Sequence, residues 1–225
     1  MCGRYTLTAS AEVLQRTFQL EAMRVEILPR YNIAPTQSVP IITGQAPRQL
    51  SLVQWGLVPS WAKDASGASQ LINARAETID EKPSFRGAFK QRRCLIPADG
   101  FYEWGKDGKP QFIYFEDKHV FGLAGLWEEW KSADGELVRT CTIITTEPND
   151  LIKLMHHRMA VILQPNDYEA WLTPDTPPDH LKSLLATHPS DGMASHEVSP
   201  TVNNARIESA DLILPFASPQ QRTLF

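Results

Sequence analysis

Apolar positions recur along this chain in short runs, most with a period of two, and few segments carry the wider spacing of a helix. The N-terminal MCGRYTL reads as a short strand. Thr8 or Ser10 is placed to cap the helix that follows, with Val13, Leu14, Phe18 and Leu20 on its apolar face. VPIIT and QLSLVQW read as two strands joined through GQAPR, while RYNIAPTQ before them and the aromatic WGLVPSW after them read as loops. LINARAET follows a polar Ser/Gly stretch, and within it Asn73 and Arg75 alternate so that both face one side of a strand. EKPSFRGAFKQRR is read as a loop and short helix leading into CLIPADGFYEW, a buried strand followed by a turn and another strand. FYEWGKDGKPQFIYF has the chemistry of a hairpin, with Lys-Asp-Gly-Lys as its turn. VFGLAGLW and RTCTIITT continue as strands.

The C-terminal third adds the helical patterns. PNDLIKLMHHRM predicts a helix that starts at Asn149 or Asp150 and ends near His156, with AVIL as the next strand. NDYEAWL and DHLKSLLA read as two short helices and SHEVS as an edge strand. Strands outnumber helices and no βαβ alternation is present. The expected fold is therefore α+β, a single domain around a mostly antiparallel, barrel-like β-sheet with short flanking helices. No repeat or composition shift marks a linker, so the domain is expected over residues 1–216, with 217–225 a flexible tail.

Composition narrows the classes. At 225 residues, 42% hydrophobic and 21% charged, the chain is long enough for a sizeable core, and 17 prolines imply many turns. A formal net charge of -4 argues against non-specific coating of duplex DNA, which depends on many phosphate contacts, but leaves room for a local basic groove. Cys2, Cys94 and Cys141 are odd in number and lack C-x-x-C spacing, so neither a disulfide framework nor a zinc site is expected. With no apolar signal region and no long apolar run, a monomer in a reducing cytoplasm is the expectation, without membrane contact.

Cys2 is the chemically distinctive residue. Removal of Met1, which the small side chain at position 2 permits, exposes a 1,2-aminothiol. Its α-amine, with an ordinary pKa of roughly 7.7–8.0 against about 10.4 for lysine, is in appreciable part neutral near pH 7. Such an amine condenses with an aldehyde to an imine, and the adjacent sulfur closes on the imine carbon to give a five-membered thiazolidine. Position 2 alone leaves open whether the cysteine is incidental. Glu103 lies in FYEW on the opposite face from Tyr102 and Trp104; it is either a pocket acid with a raised pKa or a solvent-facing carboxylate. His156, His157 and Arg158 fit a helix-end cluster as well as a site. Turn chemistry accounts for Asn32 better than for Asn73.

Taken together, MCGRYTL, RYNIAP, WGLVPSW, LINARAET, CLIPADGFYEW and MHHRM resemble, in order and across nearly the whole chain, the SRAP family of SOS response-associated peptidases or abasic-site processing proteins. The resemblance implies covalent capture of abasic sites in single-stranded DNA through Cys2, following autocatalytic removal of Met1. It implies an active-site set of Cys2, Asn73, Glu103 and His156. In it His156 opens the sugar ring, Asn73 positions the amine or the sugar hydroxyl, and Glu103 shuttles protons and assists removal of Met1. An AP-lyase side path is chemically available, because the imine acidifies the neighbouring sugar carbon. By motif, Arg4, Asn32, Pro35, Trp55, Trp61, Arg75, Arg86, Thr145 and Arg158 are expected to contact DNA. The chain departs from the family pattern with His157 in place of Asp and Ala160 in place of Pro, the second bearing on the path into the next strand.

No metal, cofactor or obligatory protein partner is expected, and DNA-bound protein would be nucleoid-associated. Two other classes remain at this point. Glutamine amidotransferases also begin Met-Cys-Gly, so an N-terminal-nucleophile amidohydrolase is one. A non-covalent single-stranded DNA binding module with a bystander Cys2 is the other.

Overall fold

The computed structural model describes residues 2–21 and 25–216. Its strands are β1 (Tyr5–Leu7), β2 (Arg30–Ile33), β3 (Ser38–Thr43), β4 (Gln49–Trp55), β5 (Asn73–Arg75), β6 (Arg93–Ala98), β7 (Gly100–Trp104), β8 (Pro110–Phe115), β9 (Phe121–Lys131), β10 (Leu137–Thr146), β11 (Met159–Ala160), β12 (Ile162–Leu163) and β13 (Met193–Glu197). The helices are short: α1 (Ala11–Phe18), α2 (Arg86–Gln91), α3 (Asp150–Lys153), α4 (Tyr168–Leu172) and α5 (Pro178–Ser183).

Five strands close on themselves. β4, β3, β6, β9 and β10 pair in sequence, and β10 returns to β4, so this ring has no open edge except where the last pairing is short. That closing contact is parallel and holds only Thr140 to Gln54 and Cys141 to Trp55, whereas the other four pairings are antiparallel. β5 extends β10 in parallel, while β11 and β12 add to β10 and β9. A second sheet, ordered β13-β8-β7-β1-β2, lies beside the barrel. The fold is thus a single α+β domain around a mostly antiparallel barrel, as the pattern of short alternating runs predicts.

Barrel closure requires a thin strand at its crowded point. A Cβ on Gly125 in β9 would meet Ile96 Cδ1 at 2.8 Å and Cys94 Sγ at 2.9 Å, so a side chain there would displace two buried side chains of β6. β6 is buried at every position, including Arg93. That guanidinium donates to the carbonyls of Phe89, Lys90, Trp171 and Thr173 at 2.6–2.7 Å, tying the ends of α2 and α4 to the barrel. Arg93→Met is expected to leave these acceptors unsatisfied and lower unfolding stability by about 3 kcal/mol. A reduced urea midpoint at unchanged slope is the measurement.

Three local readings need correction. RYNI is a strand and not a loop: Ile33 pairs with Tyr5 and Arg30 with Leu7 in β1, while the Asn32 side chain bonds to the C-terminal segment. AVIL is not one strand. Val161 donates to Ile144 O and accepts from Ala124 N, so the chain steps from β10 to β9 across it; Ala160 in place of Pro still pairs with Thr145. Leu20 lies beyond α1, which Ser10 caps and which ends at Gln19 in the left-handed conformation. The segment read as a tail, 217–225, falls outside the described residues.

Candidate active site

β1 and β7 bring the N-terminal residues and Glu103 together. Tyr5 pairs with Phe101, and Tyr102 N–H donates to Arg4 O at 2.9 Å, so Glu103 runs alongside the residues that precede β1. Alternation then sorts the faces. Tyr102 and Trp104 pack on the outer cluster with Phe112, Val198 and Val202, whereas Phe101 joins the main core. Glu103 therefore points to the inner side, where it is 2% exposed, which excludes the solvent-facing reading of the sequence. Burial pushes its carboxyl from 4.5 up to about 7, against the opposing influence of the positive chain terminus.

Cys2 is fully buried. Burial first, and the nearby Glu103 carboxylate second, push its thiol up to about 12, so sulfur here is a protonated group and not a ready thiolate. Asn73 reaches the same place from β5. Its Nδ2 donates to Cys2 O at 3.0 Å, while its buried Oδ1 meets no partner among the described residues. β5 is held in register by β10, with Asn73 opposite Ile143 and Arg75 opposite Thr145, and Trp55 Nε1 bonds Ile72 O just before it.

His156 arrives on the segment after α3. Asn149 caps that helix through Ile152 N–H, and the turn continues to His156 N–H, which donates to Ile152 O at 2.8 Å. The His156 ring stacks on His157 at 4.3 Å between centroids, and its Nδ1 accepts from Arg158 N–H at 3.0 Å. Burial holds the imidazole below its ordinary value, with the positive chain terminus acting in the same direction. Arg158 Nη2 donates to Thr145 O at 2.6 Å, which connects the His156 segment to β10 next to β5. A cavity of about 570 Å³ opens here, lined among others by Leu71, Asn73, Arg75, Lys82, Phe85 and Arg158.

The residues expected to touch DNA divide by burial. Arg75 and Arg86 are exposed, Trp61 is 66% exposed, and Pro35 is half-buried. Asn32, Trp55 and Thr145 are enclosed. Asn32 accepts from Arg4 at 2.6 Å and donates to Ile207 O at 2.8 Å and Asn204 O at 3.1 Å, so it clasps the C-terminal segment and offers no surface to a ligand. Trp55 packs edge-on to Tyr5 at 5.5 Å in the core. Arg4 also donates to Val202 O and lies 6.0 Å from the Trp104 ring. Glu77, paired with Arg158, was not singled out in the sequence; extending the alternation of Asn73 and Arg75 by two residues points to it. Among the described residues no group of His, Cys, Asp or Glu is arranged to hold a metal ion.

Comparison with known proteins finds relatives of the chain. Residues 1–205 match the family model described as SOS response associated peptidase (SRAP). The chain is 42% identical over 221 residues to the abasic site processing protein YoqW of Bacillus subtilis, covering 95% of this chain and 99% of that one. It is 30% identical to the abasic site processing protein HMCES of Gallus gallus, covering 96% of this chain and 78% of that one. A crystal structure of a Bacteroides thetaiotaomicron protein superposes with a TM-score of 0.85 at 27% identity, over 96% of this chain and all of the other. One from Bordetella bronchiseptica gives 0.76 at 27% identity, over 88% of this chain and all of that one.

Proposed function

The chain belongs to the SRAP family, and on that premise we propose that it processes abasic sites in DNA by capturing their aldehyde on the α-amine and thiol of Cys2 once Met1 has been removed. The observation that carries this reading is the convergence of buried Cys2 and Glu103 with half-buried Asn73 at the amino end of β1. The names of the relatives support abasic sites as the substrate. Single-stranded DNA is the proposed form, with Arg75, Arg86 and Trp61 exposed to meet phosphates and flanking bases.

The order of steps follows from the ring that forms: sulfur closes onto an imine carbon, so the amine attacks first. Burial that keeps the Cys2 thiol protonated favours this over amide hydrolysis, in which sulfur leads. His156 assists opening of the sugar hemiacetal, and the nitrogen lone pair adds to the C1 aldehyde carbon to form a carbinolamine. Glu103, with its carboxyl near 7, protonates the departing hydroxyl, which leaves as water and yields the imine. Sulfur then bonds to the imine carbon, its proton passes to nitrogen, and the thiazolidine closes with one water lost overall. Asn73 orients the Cys2 main chain throughout, and its Oδ1, without a partner among the described residues, accepts from the amine or the sugar hydroxyl. Loss of the 3′ phosphate from the imine by β-elimination is the competing lyase path.

Intact-mass and peptide mass spectrometry test the reading. The purified protein is expected to be one methionine lighter than the encoded chain, and incubation with a single-stranded oligonucleotide bearing an abasic site is expected to place the adduct on the N-terminal peptide. A protein that retains Met1 and forms no adduct overturns the proposal; ammonia release from glutamine by that protein would assign the amidohydrolase class instead.

A further inference from the structure

Glu77 has no place in the chemistry so far, yet its carboxylate is aligned on the site. It stands in the short 3-10 turn that directly follows β5. Both of its oxygens are taken by Arg158, Nη1 to Oε1 at 2.5 Å and Nη2 to Oε2 at 2.9 Å, in a two-point fork. Arg158 Nη2 also donates to Thr145 O. The guanidinium is thereby fixed between the turn after β5 and the end of β10.

The backbone of Arg158 in turn serves His156. Its N–H lies 3.0 Å from His156 Nδ1 and its carbonyl oxygen 3.1 Å from the same atom. A neutral imidazole accepts from the N–H and carries its proton on Nε2, whereas an imidazolium donates from Nδ1 to the carbonyl. One residue thus has a partner for each protonation state of the ring. We infer that Glu77 is a positioning residue: by clamping Arg158 it fixes the ring and tautomer of His156. This rests on His156 acting as the acid/base group of the proposed reaction.

Stability alone does not account for the pair. The Glu77 side chain is 46% exposed against 11% for Arg158, and a half-exposed ion pair contributes little to folding. Its effect is directional. The Arg158 bond is also the main reason the Glu77 carboxyl lies below the usual range, so the clamp stays charged at neutral pH.

The test uses Glu77→Gln and Glu77→Asp in the full chain. Nitrogen NMR of the free protein is expected to show His156 as the Nε2–H tautomer, and a mixture of tautomers in Glu77→Gln. Crosslinking at saturating abasic oligonucleotide is expected to slow about 10- to 100-fold in Glu77→Gln, the scale on which misplaced acid/base groups act. Affinity for an oligonucleotide with a tetrahydrofuran abasic analogue, which has no aldehyde, is expected to stay within about threefold, well under one acid/base contribution. Glu77→Asp, which keeps the charge, is expected to recover part of the rate. An unchanged tautomer in Glu77→Gln, or a rate loss matched by lost analogue binding, overturns the inference. If the parent protein forms no crosslink, the proposed function fails while the tautomer measurement still decides the role of Glu77.

Discussion

Replacing Cys2 with serine is expected to remove the heat-stable DNA adduct while leaving strand cleavage at abasic sites. Serine is as small as cysteine, so removal of Met1 is expected to proceed and the α-amine is retained. The imine therefore still forms. Oxygen in place of sulfur closes the ring weakly, and the imine partitions back to aldehyde or forward through β-elimination. The yield of adduct surviving heat is expected to fall by roughly a thousandfold, about 4 kcal/mol on the scale of rate ratios. Borohydride, which reduces an imine, is expected to trap the serine variant on DNA. A heat-stable adduct formed by Cys2→Ser without reductant would show that sulfur does not close the ring.

Glu103→Gln is expected to separate activity from stability. Gln is nearly isosteric but cannot exchange a proton, so crosslinking is expected to slow about 100-fold, at the low end of what a positioned acid or base supplies. The rate profile of the parent is expected to inflect near pH 7, and that inflection is expected to vanish in the variant. Stability is expected to move the other way. A carboxyl whose pKa rises from 4.5 unfolded to about 7 folded binds its proton more tightly in the native state. The fold therefore loses stability as pH rises from about 4.5 to 7, and the penalty is complete above 7. Glu103→Gln relieves it, by about 3 kcal/mol at pH 8 and little at pH 4. Urea denaturation of both proteins at the two pH values reads this directly. A variant less stable than the parent at pH 8 would mean that the buried carboxylate is better paired than its raised pKa implies.

The opposed effects belong together. A carboxyl raised to about 7 at 2% exposure costs the fold stability, and under the proposed mechanism it supplies the proton for dehydration. The Cys2 thiol is shifted by the same surroundings, since burial first and that carboxyl second suppress the thiolate.

Much of the architecture is legible from local pattern. Ser10 caps α1 as its position before an apolar stripe suggests, and the Lys-Asp-Gly-Lys turn joins β7 to β8. β13 lies at a sheet edge as SHEVS implies. Failures arose where a distant segment supplied the deciding contact. RYNI looks like a loop until Asn32 is seen to take its partners from residues 202–207, and AVIL looks continuous until Val161 is seen to bridge two strands. Trp55 reads by motif as a DNA contact, and only the closing contact of the barrel beside it shows that its side chain is packed in the core.

At the site, the sequence by itself determined the reagent: a cysteine at position 2, and a strand alternation that sets Glu103 apart from Tyr102 and Trp104. These are properties of covalent order and of a two-residue period. Which of the two faces is dry was decided only by the tertiary structure, because desolvation depends on every atom that surrounds a group. The same holds for Asn73 meeting Cys2 across 71 residues and Glu77 meeting Arg158 across 81. The docking of β5 on β10 and of the chain's N-terminal residues on β7 creates those surroundings, and with them the shifted carboxyl and thiol.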